Sequence, residues 1–331
     1  MLEQRFTAIE LCAGVGGQAL GLEQAGFDIV AAVDIDGDSC ATLSLNRPDW
    51  YTVHGDLNRI EPADHAPMDH ADLLSCGLPR SPYSIAGKQL ATSDKRDTLQ
   101  ATLDMAGYVR PRVLLLENIP TFLRAPKFEA ARQAVSEAVK DLGFEMISAV
   151  LTATDFGVPQ QRSHGFVIAM RAEDLAHFTW PSPDQESCPT LGETLLESMA
   201  SGGWPEAADW AARATEPAPL IMGGATGRGG ADLGAKRTKA VWARWGIWGG
   251  TVGNSVPGPD FRLNFDIAPK DGLAKITVPQ VALLQGFSSD WKIHGRKTSA
   301  YRQISQTTPP QVAAALGRQI LAALRNTTPT T

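Results

Sequence analysis

Residues 6–17 read Phe6-Thr-Ala-Ile-Glu-Leu-Cys-Ala-Gly-Val-Gly-Gly17, and this stretch decides the fold. Its first half is an apolar run typical of a buried strand, and its second half is a glycine-rich turn. The residues that follow predict a helix through Ala25, closed by Gly26. Glycines let the backbone approach a ligand closely, and a helix that begins directly after them presents free N–H groups. The stretch therefore predicts a strand, a ligand-binding loop and a helix in succession.

The same alternation of strands and helices continues to about residue 150. Short apolar strands are predicted at 28–33, 71–76 and 113–117. This β–α–β pattern predicts an α/β fold with a doubly wound, largely parallel sheet. Ligands of such sheets bind at the carboxyl ends of the strands, and the candidate residues fall at such ends. A last helix is predicted over 311–320, followed by a frayed tail from Thr327 to Thr331.

The composition and periodicity of the sequence change near residue 180. Residues 181–272 are rich in Gly, Pro, Trp and polar side chains and have weak periodicity, whereas 273–325 regain a regular pattern. This contrast predicts one main domain over 1–180 and 273–325, with a small irregular second domain over 181–272.

Composition excludes several classes of protein. The 331 residues are 43% hydrophobic, and no apolar run approaches the length of a membrane-spanning helix. With no signal-peptide pattern at the N-terminus, a cytoplasmic location is expected, nucleoid-associated in a bacterium. The four cysteines form no CxxC pair, so no metal site is expected. The net charge of −6 does not indicate nucleic acid globally, but a local basic face could still bind phosphates.

Two acids accompany the glycine loop. Asp34 ends the second strand, where a carboxylate can accept both hydroxyls of a ribose, and Asp56 follows a third strand, where it can accept from an adenine amine. The loop has no basic residue for a phosphate, and the chain has no GxxxxGK[ST] pattern. These features favour S-adenosylmethionine (SAM) over a nucleotide phosphate.

Several short motifs resemble those of one family in order and spacing. They are Glu10–Gly17, Glu117-Asn-Ile119, Gly157–Arg162, Leu284–Phe287, Tyr301–Ile304 and Pro309-Pro310. Over residues 6–170 and 275–322 the chain is similar to DNA cytosine-5 methyltransferases. The resemblance implies a Rossmann-like SAM-dependent methyltransferase domain, with 181–272 as its target-recognition domain.

The resemblance also implies the site residues. The cofactor would be held by Cys12, Ala13, Gly14, Gly16, Gly17, Asp34, Ile35, Asp56, Leu57, Ser305 and Gln306. A cytosine extruded from the duplex would meet Glu117, Asn118 and Arg162. In the family, a cysteine thiolate adds to cytosine C6, so that C5 can attack the sulfonium methyl group.

The chain departs from the family pattern in this pocket. The nucleophile position holds Arg80, whose guanidinium stays protonated and cannot add to C6. The second arginine position of the family's QxRxR motif holds His164, and Ser305-Gln306 replaces a Gly-Asn pair. Cys76 lies four residues upstream, roughly 13 Å along an extended chain, and is not expected to act as the nucleophile.

These departures leave several interpretations open. One is an enzyme that transfers a group from SAM to a cytosine-type base by chemistry that needs no thiolate, such as transfer to an exocyclic amine. Another is a non-catalytic homologue that binds SAM and DNA as a regulator or subunit, with a protein partner. Weaker alternatives are an Arg80 that binds an anion on a modified base or altered cofactor, and action on RNA or a free nucleoside.

Double-stranded DNA is the expected partner. A glycine-rich stretch at 223–230 precedes a basic segment interleaved with tryptophans, and a second basic segment follows the Arg80 turn. The candidate DNA-contacting residues are Ser84, Lys88, Arg96, Arg228, Lys236, Arg237 and Lys239.

Overall fold

A computed structural model of the chain describes residues 5–80, 98–184, 188–222 and 230–327. The chain divides into two compact units, each described here by itself. The first comprises residues 1–151, 163–182 and 312–331, and the second comprises 152–162 and 183–311. This division is based on how compactly the chain packs within each unit. The functional division at 180 and 273 rests on motifs and stays a prediction.

The first unit is built on a seven-stranded sheet with the order β3-β2-β1-β4-β5-β7-β6. The strands are β1 Phe6–Leu11, β2 Phe27–Asp34, β3 Tyr51–His54, β4 Leu73–Gly77, β5 Val113–Asn118, β6 Glu145–Thr152 and β7 Ser163–Met170. β1 pairs in parallel with β2 and β4, β2 with β3, and β4 with β5, whereas β5 and β7 are antiparallel. The predicted doubly wound, largely parallel α/β sheet is confirmed.

Helices connect these strands and build the second unit. In chain order they are α1 Gly17–Ala25, α2 Gly37–Asn46, α3 Leu99–Val109, α4 Glu129–Asp141, α5 Ala172–Leu175, α6 Leu191–Ala200, α7 Ala207–Arg213, α8 Lys236–Arg244, α9 Pro269–Gly272, α10 Val278–Leu284, α11 Lys297–Gln306 and α12 Pro310–Asn326. Within the described residues, no helix is both long and apolar enough to cross a membrane.

The central strands are buried on both faces. Ile9 in β1, Leu74 in β4 and Leu114 in β5 are almost completely buried, and β5 is buried along its whole length. Helices cover both faces of such a sheet, so its strands are continuous apolar runs rather than alternating ones. Burying each of these side chains stabilises the fold by about 1.5–3 kcal/mol, before the entropy of ordering is counted.

The strand register brings the ends of four strands to one edge. Leu11 pairs with both Val33 and Cys76, and Gly77 pairs with Glu117. The glycine loop follows β1 and Arg80 follows β4. Asp34 is the last residue of β2, and Glu117 is the last but one of β5. His164 reaches the same edge differently, because it is the second residue of β7 and β7 runs antiparallel to β5. The expectation that candidate residues lie at the carboxyl ends of strands is therefore wrong for His164, which lies at a strand beginning, and for Ser305 and Gln306, which lie in α11.

The last helix packs against the first. α1 begins after Gly16 and ends at Gly26, and both of these glycines have positive φ angles that favour a residue without Cβ. A Cβ at Gly317 in α12 would lie 2.7 Å from the Cβ of Ala25, so glycine allows the two helices to approach closely. Beyond α12, Arg112 donates a 2.6 Å hydrogen bond to Thr327 Oγ1. Thr327 is therefore anchored, contrary to the frayed tail expected from that residue.

The second unit is mostly helical. Thr190 and Glu193 form a reciprocal capping box at the start of α6, and Thr277 and Gln280 form another at α10. Trp242 of α8 is completely buried. In the described part of this unit, strand pairing is limited to isolated bridges. The expected irregularity of 181–272 thus holds for strands, but this segment contains helices that its weak periodicity did not predict.

The first unit contains a buried carboxyl group, that of Glu10, near the end of strand β1. Glu10 on β1 accepts a hydrogen bond from Gln18 of α1, and the same Gln18 amide donates to Ser75 Oγ on β4 at 2.6 Å. Glu10 Oε2 and Gln18 Oε1 are buried and have no hydrogen-bond partner among the described residues. Burial raises the pKa of Glu10 to about 8, against hydrogen bonds from Ser75 and Gln18 that lower it. Glu10 is therefore protonated in the folded protein near neutral pH.

Proton uptake by Glu10 predicts a pH-dependent stability. Because its folded pKa lies above the ordinary value near 4.5, its contribution is complete at low pH and is lost as pH rises toward 8. In Glu10→Gln this part of the pH dependence should disappear, a change of up to about 4 kcal/mol in the free energy of unfolding between pH 5 and 8.5. Urea unfolding across this range measures it. The exposed Glu145→Gln is the control and should keep the slope of the natural protein; an unchanged slope in Glu10→Gln would contradict the assignment.

Candidate active site

The glycine loop folds back onto β2. Ala13 N–H donates to the carbonyl of Val33, and Gly14 N–H donates to Asp34 Oδ2 at 2.7 Å. Cys12, Gly14 and Gly16 all have positive φ angles, and for Cys12 this is a conformation that non-glycine residues rarely adopt. A Cβ built at Gly14 would meet no atom within 4 Å, so open space lies beside the loop. The predicted sharp turn is confirmed, and a ligand can approach its backbone.

Asp34 holds the loop together. Besides Gly14 N–H, its carboxylate accepts the N–H of Asp36 through Oδ1 at 2.8 Å. Burial raises the pKa of Asp34, although these two backbone hydrogen bonds favour its ionised form. The sequence predicted only a ribose-binding acid here. The structure adds a second role, since the same carboxylate fixes the position of the loop.

The neighbours of Asp34 complete this part of the site. The side chain of Ile35 is 66% exposed, unusual for isoleucine, and is available to contact a flat ring. Asp56 caps the short 3-10 helix Leu57–Arg59 by accepting the N–H of Asn58, and Leu57 is buried. Thus a glycine loop beside open space, an exposed apolar side chain and two acids lie at the ends of β1, β2 and β3. These groups fit a nucleoside that carries no phosphate, and SAM is such a compound.

Cys12 and Cys76 are free thiols at this edge, and Cys12 is half-buried. Cys76 is completely buried, accepts a hydrogen bond from Thr102 Oγ1 and has a thiol pKa raised by burial. A thiol that resists ionisation is a poor nucleophile. The expectation that Cys76 does not replace the missing nucleophile is therefore supported. Cys12 Sγ lies 3.6 Å from Thr98 Oγ1.

Arg80, Glu117 and His164 meet at one carboxylate oxygen. Arg80 Nη2 lies 2.7 Å from Glu117 Oε1, and His164 Nδ1 lies 2.8 Å from the same oxygen. The side chain of Arg80 is 13% exposed and that of Glu117 only 3%, so this ion pair is mostly dry. Sequence placed these residues in one pocket, but did not predict direct contact among all three.

The charges in this cluster follow from burial and pairing. Burial alone would raise the pKa of Glu117, but the charge of Arg80 and the hydrogen bond from His164 outweigh it, and the net shift is downward. Burial also lowers the pKa of His164, despite the neighbouring carboxylate. The cluster at neutral pH is therefore an arginine cation, a glutamate anion and a neutral imidazole.

The tautomer of His164 follows from its neighbours. A neutral imidazole stabilises Glu117 only by donating, so its proton lies on Nδ1. The 3.1 Å approach of Arg80 Nη2 to that nitrogen is then a contact between two donors that share one acceptor. His164 Nε2 is buried without a hydrogen-bond partner among the described residues.

The remaining predicted base-site residues have structural partners. Asn118 accepts the N–H of Ile119 through Oδ1, and its Nδ2 is buried without a partner in the described part of the chain. In the second unit, Arg162 donates at 2.6 Å to the carbonyl of Ser305, near the end of α11. Arg162 thereby fixes the backbone beside Gln306, a role that the sequence did not predict.

The predicted DNA-contacting residues fall into two groups. Lys236 and Arg237 are exposed in the first turn of α8, whereas Lys239 Nζ pairs with Asp232 Oδ1 at 3.1 Å. The tryptophans near them contribute to packing, as the burial of Trp242 shows. The other expected residues, Ser84, Lys88, Arg96 and Arg228, lie outside the described residues. Among the described residues, no cluster of three or more His, Cys, Asp or Glu could hold a metal ion.

The strand order, with β7 antiparallel at its place between β5 and β6, defines a Rossmann-like methyltransferase fold. The same fold is found in Dnmt2 methyltransferase of S. pombe, with a TM-score of 0.62 and 17% identity over 97% of this chain and 99% of that one. The sequence model of the C-5 cytosine-specific DNA methylase family matches residues 6–322. The chain belongs to this family, whose members are SAM-dependent DNA methyltransferases.

Two relatives show how far the likeness extends. Type II methyltransferase M.NaeI of Lentzea aerocolonigenes is 42% identical over 97% of this chain and 76% of its own length. Type II methyltransferase M.NgoMIV of Neisseria gonorrhoeae is 37% identical over 97% of this chain and 99% of its own length. The resemblance stated from the motifs is confirmed.

The hydrogen bonds of Asp34 to the glycine loop predict a large effect of its substitution on cofactor binding. Asp34→Asn removes the negative charge and points an amide N–H₂ group at the N–H of Gly14 or Asp36, so the loop loses its anchor. We expect SAM affinity to fall by about tenfold to a hundredfold, as for hydrogen bonds to a charged group. Isothermal titration calorimetry measures it. Asp28→Asn, at the beginning of the same strand in a surface pair with Arg5, is the matched control. Equal affinities of the two variants would contradict the role of Asp34.

Proposed function

We propose that this protein is a SAM-dependent DNA methyltransferase that binds duplex DNA and receives an extruded cytosine-type base in a site remodelled around Arg80. The observation that carries the proposal is the joint position of the glycine loop, Asp34 and Glu117 at one edge of the sheet, in a chain whose family match spans 6–322. M.NaeI and M.NgoMIV are both Type II methyltransferases, and this supports a modification enzyme of the same type.

The cofactor would be held by the loop and strand-end residues. The backbone of 13–17 would face its amino-acid portion, Asp34 its ribose hydroxyls, and Ile35, Asp56 and Leu57 its adenine ring. On the family motif alone, Ser305 and Gln306 are also proposed as cofactor-binding residues. SAM supplies a methyl group on a sulfonium, ready for displacement by a nucleophile.

The base would be held by Glu117. An ionised carboxylate accepts hydrogen bonds, so Glu117 is suited to the exocyclic amine of cytosine. Arg80 cannot act as the family's cysteine does, because its guanidinium stays protonated at all physiological pH values. Transfer by this protein would therefore proceed without a covalent bond to C6, for example by attack of an exocyclic amine that releases its proton to water.

A second candidate function is a non-catalytic homologue that binds SAM and DNA as a regulator or subunit. It is favoured by the 2.7 Å pair of Arg80 and Glu117, which occupies the oxygen that a base would use. Both candidates need the same cofactor loop and the same DNA surface. They differ only in whether a methyl group reaches DNA.

Tritium transfer from labelled SAM to mixed-sequence DNA distinguishes the two candidates. For the natural protein we expect label in DNA, lost in Asp34→Asn and retained in Asp28→Asn, and nucleoside mass spectrometry would then locate the methyl group. Absence of label from the natural protein, with label after Arg80→Cys, would contradict the enzyme and support the non-catalytic homologue.

The DNA surface is proposed to include the first turn of α8. The double charge reversal Lys236→Glu/Arg237→Glu should weaken binding to duplex DNA and reduce the slope of log affinity against log salt by about 2, because two phosphate contacts are lost. Fluorescence anisotropy at several salt concentrations measures both quantities. Lys127→Glu/Lys140→Glu, an equal change of charge at exposed sites of the first unit, is the control. Equal weakening by the two pairs would place the DNA surface elsewhere.

A further inference from the structure

Glu117 lies on β5, between the neighbouring strands β4 and β7. Arg80 reaches it from the chain that follows β4, and His164 reaches it from the beginning of β7. Both contact the same oxygen, at 2.7 and 2.8 Å. The carboxylate of Glu117 therefore has one partner on each side, at positions 80 and 164. The residue types at these two positions decide whether its negative charge is compensated.

Only one of the two partners is a cation. A carboxylate that is almost completely buried stays ionised only if a charge of opposite sign compensates for lost water. His164 is completely buried, and burial keeps its imidazole neutral. Arg80 is the only cation within ion-pair distance of Glu117 among the described residues.

From this geometry we propose that Arg80 is a positioning residue for Glu117, and that positions 80 and 164 form a coupled pair that must supply one full cation between them. The inference rests on the proposed function only for the base-binding role of Glu117. Removal of the cation at 80 leaves Glu117 buried without compensation. A second cation at 164 leaves an excess positive charge. Moving the cation from 80 to 164 keeps the balance.

The coupling predicts a result that is not the sum of single changes. Four proteins test it: the natural chain, Arg80→Cys, His164→Arg and the double variant. In urea at pH 7, each single variant should unfold at a lower denaturant concentration than the natural protein, and the double variant should recover most of the loss. Additive shifts of the unfolding midpoints would overturn the proposal, because independent sites add.

Conservative replacement separates charge from shape. Arg80→Lys should keep the natural dependence of stability on pH, in which the contribution of Glu117 is present at neutral pH and lost as the solution becomes acidic. Arg80→Gln should reduce or reverse that loss, because without the cation the effect of burial, which raises the pKa of Glu117, is less strongly opposed. If the stability of the lysine variant and that of the glutamine variant depend on pH in the same way below neutral pH, the proposed role of charge is overturned.

A chemical readout follows from the same four proteins. A thiol at 80 can add to C6, so formation of 5-methylcytosine in mixed-sequence DNA becomes measurable by nucleoside mass spectrometry. The double variant should form at least about tenfold more of this product than Arg80→Cys, because only the double variant keeps Glu117 paired. Where 5-methylcytosine is detected, an equal or smaller yield from the double variant than from Arg80→Cys would overturn the proposal. Non-additive stability with no methyl transfer from any of the four proteins would support the coupling and contradict the proposed function.

Discussion

An ionised carboxylate in the dry interior of a sheet depends on the cation that faces it, and in this protein the pair of Glu117 and Arg80 meets that constraint. The carboxylate lies near the end of a strand that is buried along its whole length, and its side chain is only 3% exposed. The guanidinium compensates the charge of the buried carboxylate, but it cannot act as a nucleophile. One side chain thus compensates the buried charge at the position where the resemblance implies a nucleophile.

The cofactor end of the site depends on a second shared carboxylate. Asp34 receives the N–H groups of Gly14 and Asp36, so the loop after β1 and the turn after β2 are fixed by the same group. Loop and acid therefore cannot vary independently. A substitution at Asp34 changes the backbone that approaches a ligand as well as the carboxylate that would bind it.

The sequence predicted the largely parallel sheet and the positions of its central strands well, because a parallel sheet buried on both faces leaves long apolar runs bounded by glycine or acidic residues. It also placed Arg80, Glu117 and His164 in one pocket through their motifs. It could not predict that all three contact one oxygen, since side-chain reach depends on the register of β4, β5 and β7. The helices of 181–272 were missed although Thr190 and Glu193 carry a capping-box pattern. Glu10 was recognised as part of a motif, but its protonation follows from its burial in the packed sheet, which the motif does not show.

The close packing of α12 on α1 has a consequence for synthesis of the protein. The glycine at 317 allows the last helix to lie directly against the helix that follows the glycine loop, and Thr327 is tied to Arg112. The first unit is also interrupted by most of the second along the chain. During translation, which proceeds from the N-terminus, α1 stays without this partner until α12 has been synthesised. Chains that end before α12 therefore lack one side of the packing around α1, the helix that follows the glycine loop.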